Sequence, residues 1–226
     1  MSAIRPAATV VLLRERPSGF ETLLLQRNSA LQFAGGLWVF PGGRIDKDDY
    51  ADSGDDSLAA ARYAAVRETR EETGLDITDC TLQYFAHWTT PEAEPKRYAT
   101  WFFITAIDID ADIVVDGSEI LAHRWLTPAA ALAAHRAGEL DLLPPTYIAL
   151  AELDGCQSIA EVLAQYRERS VIEILPKFIK TATGAVALYP GDAGYIDADP
   201  FLPGKRHRTT RAQDGWCYEC DIESGK

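Results

Sequence analysis

Three glutamates stand at helical spacing in the segment RETREETG. Glu68, Glu71 and Glu72 occupy positions i, i+3 and i+4, which in an α-helix places their side chains on one face with Cβ atoms about 6 Å apart. Three carboxylates this close repel one another, whereas a divalent cation among them relieves the repulsion. A solvated helix face is the simpler interpretation of an acidic triplet, and the neighbouring residues decide between the two.

Two neighbours favour a metal site. Arg67 lies four residues before Glu71 and can hold its carboxylate, while Phe40-Pro41-Gly42-Gly43 ends a short apolar strand and offers free backbone carbonyls. Magnesium and similar hard cations take carboxylate and carbonyl oxygens as ligands and keep some water molecules. The expected ligands of Mg²⁺ or Mn²⁺ are therefore the Gly42 carbonyl and the carboxylates of Glu68, Glu71 and Glu72.

The acidic segment belongs to the most clearly patterned helix of the chain. The run from Ser57 is rich in Ala, Leu, Arg and Glu and stops at Gly74, a residue suited to a left-handed C-terminal cap. Strands before and after this helix, with further helices later, predict an α/β sandwich, and the tail beyond 180 is expected to be irregular. Strands are predicted at 7–15 and 21–26, as a hairpin around Pro17-Ser18-Gly19, and at 37–40, 81–88, 98–107 and 121–126, with helices at 127–137 and 157–168.

Length and composition limit the classes of function. A chain of 226 residues with 47% hydrophobic residues can bury one sizeable core, so one main domain is expected. The formal net charge of -12 would repel a nucleic acid polymer, so the anionic partner is expected to be a small molecule. No apolar run approaches the roughly 18 residues of a membrane span, and charge comes too early for a secretory signal. These features predict a cytoplasmic enzyme without a membrane partner.

Two further motifs are assigned no chemistry. Cys217 and Cys220 form a C-x-x-C pair, but neither a second pair nor a suitably spaced His accompanies them, which favours a structural or incidental role over zinc or redox chemistry. The acidic stretch from Asp46 to Asp56 lacks the ligand and glycine spacing of an EF-hand calcium loop. A solvated insertion is expected there rather than direct metal binding.

The acidic segment resembles the signature of the Nudix hydrolases, G-x5-E-x7-R-E-U-x-E-E-x-G-U, where U is a bulky aliphatic residue. The second half of the signature appears as RETREETGL from Arg67, with Thr69 at the first U position. The first half is stretched. Counting forward from Gly43 puts Asp49 at the first signature glutamate, and counting back from Arg67 puts Ala59 there. Both alignments stay open.

The resemblance implies a role for each matching residue of the signature. Glu71 and Glu72 are expected to be metal ligands, together with the Gly42 carbonyl. Glu68 is expected to orient or help activate the attacking water, and Arg67 to hold the acidic side chains.

Members of the family often use one more carboxylate from outside the signature, commonly shortly before an R-W pair that opens a strand. Glu119 in the segment SEILAHRWL fits this pattern, and Glu92 and Glu94 are its rivals.

Segments outside the signature resemble the coenzyme A diphosphatase branch of the family, most strongly its peroxisomal, insertion-containing members. The likeness spans roughly 5 to 130 and includes LLQR from Leu24, WTTP from Trp88 and RYATWFF from Arg97. Asn28 and Gln32 depart from the branch, which usually has a Ser or Ala and a second arginine at these positions. The late basic cluster could replace the lost phosphate contact, or it could be a solvated tail. The candidate substrate-binding residues are Arg27, Arg97, Arg206 and Arg208.

The resemblance implies a Nudix-type α/β/α sandwich with a mixed sheet, followed by C-terminal helices and an irregular tail. The domain is expected to span 1–226, with a core of about 5–140 and an extension of about 141–226, and relatives of this kind often form homodimers. The implied reaction is metal-dependent hydrolysis of the pyrophosphate bond in a nucleoside diphosphate derivative such as coenzyme A or acyl-CoA. The alternatives are hydrolysis of NADH, ADP-ribose or dinucleoside polyphosphates, and a non-catalytic nucleotide-sensing module, which the missing glutamate at Ala59 would suit.

Overall fold

A mixed β-sheet forms the centre of the protein. The computed structural model describes residues 3–17, 19–51, 54, 56–108, 112–181 and 184–222, so Ser18 of the predicted turn lies outside the described residues. The strands of this sheet are β1 (Ile4–Arg16), β2 (Gly19–Arg27), β3 (Trp38–Val39), β4 (Gly42–Arg44), β5 (Gln83–Thr89), β6 (Arg97–Ala106), β7 (Ile120–Leu126) and β8 (Ile172–Ile174).

The strand order of this sheet is β3-β2-β1-β6-β5-β8, with β4 paired to β1 and β7 paired to β2. The pairs β1–β6 and β5–β8 are parallel, and the other pairs are antiparallel. The predicted hairpin is confirmed because β1 and β2 pair antiparallel from Arg16↔Gly19 onward. β4 lies beside the first half of β1, where Thr9 pairs with Gly42 and Ala8 pairs with Gly43. This pairing brings the glycines of the signature into the sheet.

Helix α1 (Ser57–Thr73) covers one face of the sheet, as predicted. The side chain of Asp56 caps its first turn by accepting hydrogen bonds from the backbone N–H groups of Leu58 and Ala59, and Gly74 ends it at φ 75°. Its sheet-facing residues are small, so the helix axis can lie close to β1 and β4. The fully buried alanines of this face are Ala60, Ala61, Ala64 and Ala65.

The opposite face of the sheet is covered by α2 (Pro128–Arg136), α3 (Pro144–Asp154) and α4 (Ile159–Glu168). Apolar side chains of the sheet, including Leu24, Trp88 and Phe102, pack there against α3 and α4. Two of these helices fall at the predicted positions, whereas α3 was not predicted. The α/β sandwich with a mixed sheet is therefore confirmed. None of the helices in the described part of the chain is long and apolar enough to cross a membrane.

The prediction of an irregular tail holds for 189–206 and is wrong for the segments on both sides of it. β9 (Lys177–Thr181), β10 (Gly184–Leu188), β11 (His207–Ala212) and β12 (Gly215–Cys220) form a second, antiparallel sheet in the order β12-β11-β10-β9. This sheet is fixed to the core, because the Trp216 backbone N–H donates to His135 Nε2 at 3.0 Å and the Trp216 indole N–H donates to the Leu142 carbonyl at 2.8 Å.

Candidate active site

Two of the three glutamates on α1 point into the protein beside β4. Glu72 is only 6% exposed, and one of its carboxylate oxygens accepts a hydrogen bond from the Gly42 backbone N–H at 2.9 Å. The carboxyl group of Glu68 lies directly over Gly43, where any Cβ atom would overlap it. Gly42 has φ 151°, a conformation that side chains rarely adopt. Gly43 therefore leaves space for the Glu68 carboxyl group, and the Gly42 N–H holds Glu72 against the strand.

The third glutamate has a different environment. The Glu71 side chain is 57% exposed, and its carboxylate accepts from Arg67 Nη1 at 3.2 Å. The structure therefore does not bring Glu71 into the buried pair, although the helical spacing predicted one common face. Its role as a metal ligand stays a prediction. Within the described ranges, no three His, Cys, Asp or Glu side chains are arranged as a ready metal cage.

Arg67 joins α1 to the segment that follows β4. Its guanidinium donates to Asp49 Oδ1 at 3.1 Å and Oδ2 at 2.9 Å, to the Arg44 carbonyl at 2.9 Å and to Glu68 at 2.9 Å. The hydrogen bonds to Asp49 and the charge of Glu68 hold the pKa of Arg67 above its usual range. The positioning role of Arg67 stays a prediction, and these contacts are its structural basis.

The structure favours the alignment of the stretched signature that counts forward from Gly43 to Asp49. Asp49 lies in a short 3-10 helix, Asp48–Tyr50, and is 7% exposed, with Oδ2 also accepting from the Asp46 backbone N–H at 2.8 Å. Ala59 lies instead in the first turn of α1. Asp49 thus stands beside Arg67 at the position reached by counting forward from Gly43. The extra residues of the insertion therefore follow Asp49, and the segment 46–56 is not wholly solvated.

Arg27, predicted to bind substrate, lies between two carboxylates. Its Nη1 is 3.8 Å from Glu72 Oε1, and its Nη2 is 3.5 Å from Glu119 Oε2. The side chain is 17% exposed, and its Nε is buried without a hydrogen-bond partner among the described residues. These contacts place Glu119 near the carboxyl groups of α1, and its role as the additional carboxylate stays a prediction. Glu92 and Glu94 are exposed in the loop between β5 and β6.

The loop that carries Glu119 is held by two residues that the sequence analysis did not assign to the site. The carboxylate of Asp116 accepts from the backbone N–H groups of Ser118, Glu119 and Ile120, which lowers the pKa of Asp116 to about 2. Asn28 donates from its backbone to the Glu119 carbonyl at 2.7 Å and from Nδ2 to the Ser118 carbonyl at 2.9 Å. The Asp116-Gly117-Ser118 turn motif was the available signal.

The electrostatics of the buried carboxylates suit a divalent cation. Burial raises the pKa of Glu72 to about 8; the Gly42 N–H and Arg27 oppose this, and the neighbouring charges of Glu68 and Glu119 reinforce it. Burial likewise raises the pKa of Glu68. A hard cation takes carboxylate oxygens and favours their charged form. The oxygen donors of Glu68, Glu72 and Glu119 therefore fit such an ion in chemistry.

Three other predicted substrate-binding arginines are engaged elsewhere. Arg97 is 7% exposed and donates from Nε to the Thr90 carbonyl at 3.1 Å, so it holds the loop between β5 and β6. The prediction for Arg208 is wrong, because its guanidinium is buried and makes two hydrogen bonds of 2.7 Å to Asp192. Arg206 donates to the Leu202 carbonyl at 2.7 Å within the same C-terminal region. Cys217 and Cys220 are exposed free cysteines on β12.

The α/β/α sandwich, with paired glutamates on a helix against a glycine-rich strand, defines the Nudix class of hydrolase. The family model described as the NUDIX domain matches residues 3–144, more than half of the chain. The protein belongs to the Nudix family and is a pyrophosphohydrolase acting on nucleoside diphosphate derivatives. Hydrolases of this family generally use divalent metal ions.

The individual relatives share less than a third of their residues with this chain. The chain is 28% identical over 239 residues to nudix hydrolase 7 of Caenorhabditis elegans, covering 87% of this chain and 76% of that protein. It is 22% identical over 298 residues to acyl-coenzyme A diphosphatase NUDT19 of Xenopus laevis, covering 90% of this chain and 78% of the relative. A solved NUDIX hydrolase from Alicyclobacillus acidocaldarius shares the fold with a TM-score of 0.66 and 23% identity, over 73% of this chain and 97% of that one.

Proposed function

We propose that the protein hydrolyses the pyrophosphate bond of coenzyme A or an acyl-CoA, with Mg²⁺ or Mn²⁺ as cofactor. The observation that carries the proposal is the buried carboxylate of Glu72, which lies beside Glu68 and Glu119 and has a pKa raised to about 8. Such a group is mostly protonated at neutral pH, and a divalent cation beside it favours the charged form. A pyrophosphate brings further negative charge to the same place, which makes the cation necessary for substrate binding as well.

Each residue of the site has a separate task in this proposal. Glu72 and Glu68 hold the cation, with Glu119, Glu71 and the Gly42 carbonyl as further oxygen donors. The ion supplies positive charge against the charge that develops on the leaving phosphate. Glu68, fixed over Gly43 and bonded to Arg67, orients the attacking water. Arg67 keeps Glu68 in place through its bonds to Asp49.

We favour coenzyme A over other nucleoside diphosphate derivatives as the substrate for two reasons. The relative NUDT19 carries the name acyl-coenzyme A diphosphatase, and the segments around Arg27, Trp88 and Arg97 resemble that branch. The alternative of a non-catalytic sensor was motivated by the missing glutamate at Ala59. Asp49, the residue reached by counting forward from Gly43, is bonded to Arg67, which supports a catalytic site over the sensor.

The experiment is a substrate screen with Mg²⁺ or Mn²⁺ present. The purified protein is incubated with coenzyme A, acetyl-CoA, NADH, ADP-ribose and dinucleoside polyphosphates, and the products are separated by chromatography. Coenzyme A should give 4'-phosphopantetheine and adenosine 3',5'-bisphosphate. Glu72→Gln should lose most of this activity, whereas Glu139→Gln, at an exposed glutamate outside the site, should not. Turnover of the other substrates without coenzyme A would overturn the substrate assignment.

We also propose a cytoplasmic location and a homodimer in solution. The formal net charge of -12 argues against a nucleic acid polymer as partner and favours a small molecule. Cell fractionation tests the location, and light scattering of the purified protein tests the oligomeric state.

A further inference from the structure

Arg27 is anchored at its backbone, whereas its side chain is held loosely. The Arg27 N–H donates to the Leu37 carbonyl at 3.0 Å, and the Arg27 carbonyl accepts from Gly36 at 3.0 Å, so β2 ends in a fixed position. The guanidinium contacts to Glu72 and Glu119 are long, at 3.8 and 3.5 Å, and its Nε is buried without a partner among the described residues. A change of partner at Arg27 therefore requires movement of the side chain alone.

Arg67, in the same region, makes a full set of hydrogen bonds and serves as a comparison for Arg27. The three guanidinium nitrogens of Arg67 all donate to oxygen atoms, at distances from 2.9 to 3.2 Å. Arg27 makes no comparable set of hydrogen bonds. A planar guanidinium binds best to two oxygens of one carboxylate or phosphate. Arg27 thus retains capacity for a bidentate anion, which neither of its present partners supplies.

The partners of Arg27 are also oxygen donors of the proposed cation site. Glu72 and Glu119 each offer carboxylate lone pairs, and a guanidinium and a divalent cation compete for them. Because both contacts are long, the guanidinium binds neither carboxylate tightly, and a divalent cation, with its higher charge, can displace it. The displaced side chain remains tethered next to the place where the pyrophosphate must bind.

We propose that Arg27 exchanges partners during the catalytic cycle, leaving Glu72 and Glu119 when a divalent cation binds and then binding a phosphate group of the substrate. This inference rests on the proposed function and assigns one residue a double role within it. Arg27 lies against the carboxyl groups before the cation arrives and holds the substrate afterwards. Substrate binding is therefore coupled to cation binding through one side chain.

The exchange predicts two opposite effects of one substitution. Arg27→Gln should bind Mn²⁺ about two- to fivefold more tightly than the wild type, because a competing cation has been removed. The Mn²⁺-loaded variant should bind α,β-methylene-ADP, a pyrophosphate analogue that cannot be hydrolysed at this bond, about tenfold more weakly or worse. Manganese affinity is measured by electron paramagnetic resonance and analogue affinity by calorimetry, so neither measurement depends on turnover.

Two further variants separate the charge of Arg27 from its shape. Arg27→Lys keeps the competing charge but loses the planar pair of N–H donors. It should therefore bind Mn²⁺ as tightly as the wild type does and bind the analogue more weakly. Arg124→Gln removes an equal charge from a half-exposed arginine on β7, paired with Glu139 at 3.7 Å, and should leave both affinities unchanged. A general charge effect would instead make Arg124→Gln resemble Arg27→Gln.

The outcomes distinguish this inference from the proposed function. Weaker Mn²⁺ binding by Arg27→Gln would overturn the exchange, since Arg27 would then be organising the site rather than competing with the cation. Unchanged analogue affinity would overturn the second half of the exchange. If wild type and Glu72→Gln bind Mn²⁺ equally, the cation does not use Glu72 and the proposed function itself falls.

Discussion

The guanidinium of Arg67 and the carboxylate of Asp49 form a two-point pair, with Nε–Oδ1 and Nη2–Oδ2 distances of 3.1 and 2.9 Å. The pair joins α1 to the short 3-10 helix after β4, and Asp49 and Arg67 lie 18 positions apart in the chain. It lies next to Glu68, which accepts from the same guanidinium. Loss of the pair should therefore affect both stability and catalysis.

Asp49→Ala should lower the free energy of unfolding by about 1–3 kcal/mol, because it leaves a partly buried guanidinium without its main acceptor. It should also reduce kcat by releasing Glu68 from its position. Urea unfolding and steady-state kinetics measure the two effects. Asp48→Ala, at the exposed neighbouring position, serves as the control. Equal stability of the two variants would contradict the assigned role of Asp49.

Gly43→Ala should reduce kcat/KM by about 100-fold while changing stability little, because the three atoms nearest to the added methyl group all belong to the carboxyl group of Glu68. Gly155→Ala adds the same methyl group at a helix end, where its nearest contact is the Glu152 carbonyl at 3.4 Å. That variant should keep full activity. Near wild-type activity of Gly43→Ala would mean that Glu68 does not act from its position over β4.

The stability of the protein in EDTA should fall as the pH rises from about 5 to 8. The folded-state pKa of Glu72, about 8, lies above the ordinary glutamate value of 4.5, so folding favours the protonated carboxyl. Its stabilising contribution is present below the unfolded-state pKa and is lost as the pH rises through the folded-state pKa, by at most about 1.4 kcal/mol for each pH unit between the two pKa values. Glu72→Gln keeps an acceptor for Gly42 and should flatten this slope in urea titrations. A slope that persists in the variant would assign the effect to other groups.

Glu119→Gln should lower kcat, whereas Glu92→Gln and Glu94→Gln should behave like the wild type. Glu119 lies beside Arg27 and influences the pKa of both Glu68 and Glu72, which places its charge at the site. Initial rates with saturating substrate compare the three variants. A loss confined to Glu92→Gln or Glu94→Gln would transfer the assignment of the additional carboxylate to that residue.

Arg208→Ala should destabilise the protein by about 3–5 kcal/mol without changing KM, because it strands the buried carboxylate of Asp192. Thermal unfolding measures the first effect, and kinetics well below the unfolding temperature measure the second. An increase in KM in the folded variant would restore the substrate-binding role that the sequence alone suggested for Arg208.

The sequence predicted the elements whose patterns are local. The Ala-rich helix ending at Gly74 and the hairpin of β1 and β2 follow from composition, caps and turn residues. The tail strands were missed because β11 carries Arg208 and Arg211 in a segment that reads as a charged surface. The burial of Arg208 depends on Asp192, which lies 16 residues earlier in the chain. Such pairing over a distance leaves no periodic trace in the sequence.

The candidate site, too, could be predicted from the sequence only in part. Helical spacing predicted that Glu68 and Glu72 lie together, but it could not show that Glu71 turns toward solvent, because that depends on where the sheet lies. The contact of Arg27 with Glu72 and Glu119 joins three separate elements of the fold. Asn28 looked like a departure from the related branch, yet it holds the backbone of Glu119. Its role follows from the neighbouring strand, which is distant in sequence.

The position of the extra residues between Asp49 and α1 makes this stretch a permissive place for engineering. Asp49 is tied to Arg67 before the stretch begins, and Asp56 caps the helix where it ends, so both ends are fixed independently of its length. Doubling the length of a connecting segment costs only about 0.6 kcal/mol in chain entropy. An epitope tag or a small reporter domain inserted after residue 51 should therefore leave the carboxylates in place and the chemistry intact.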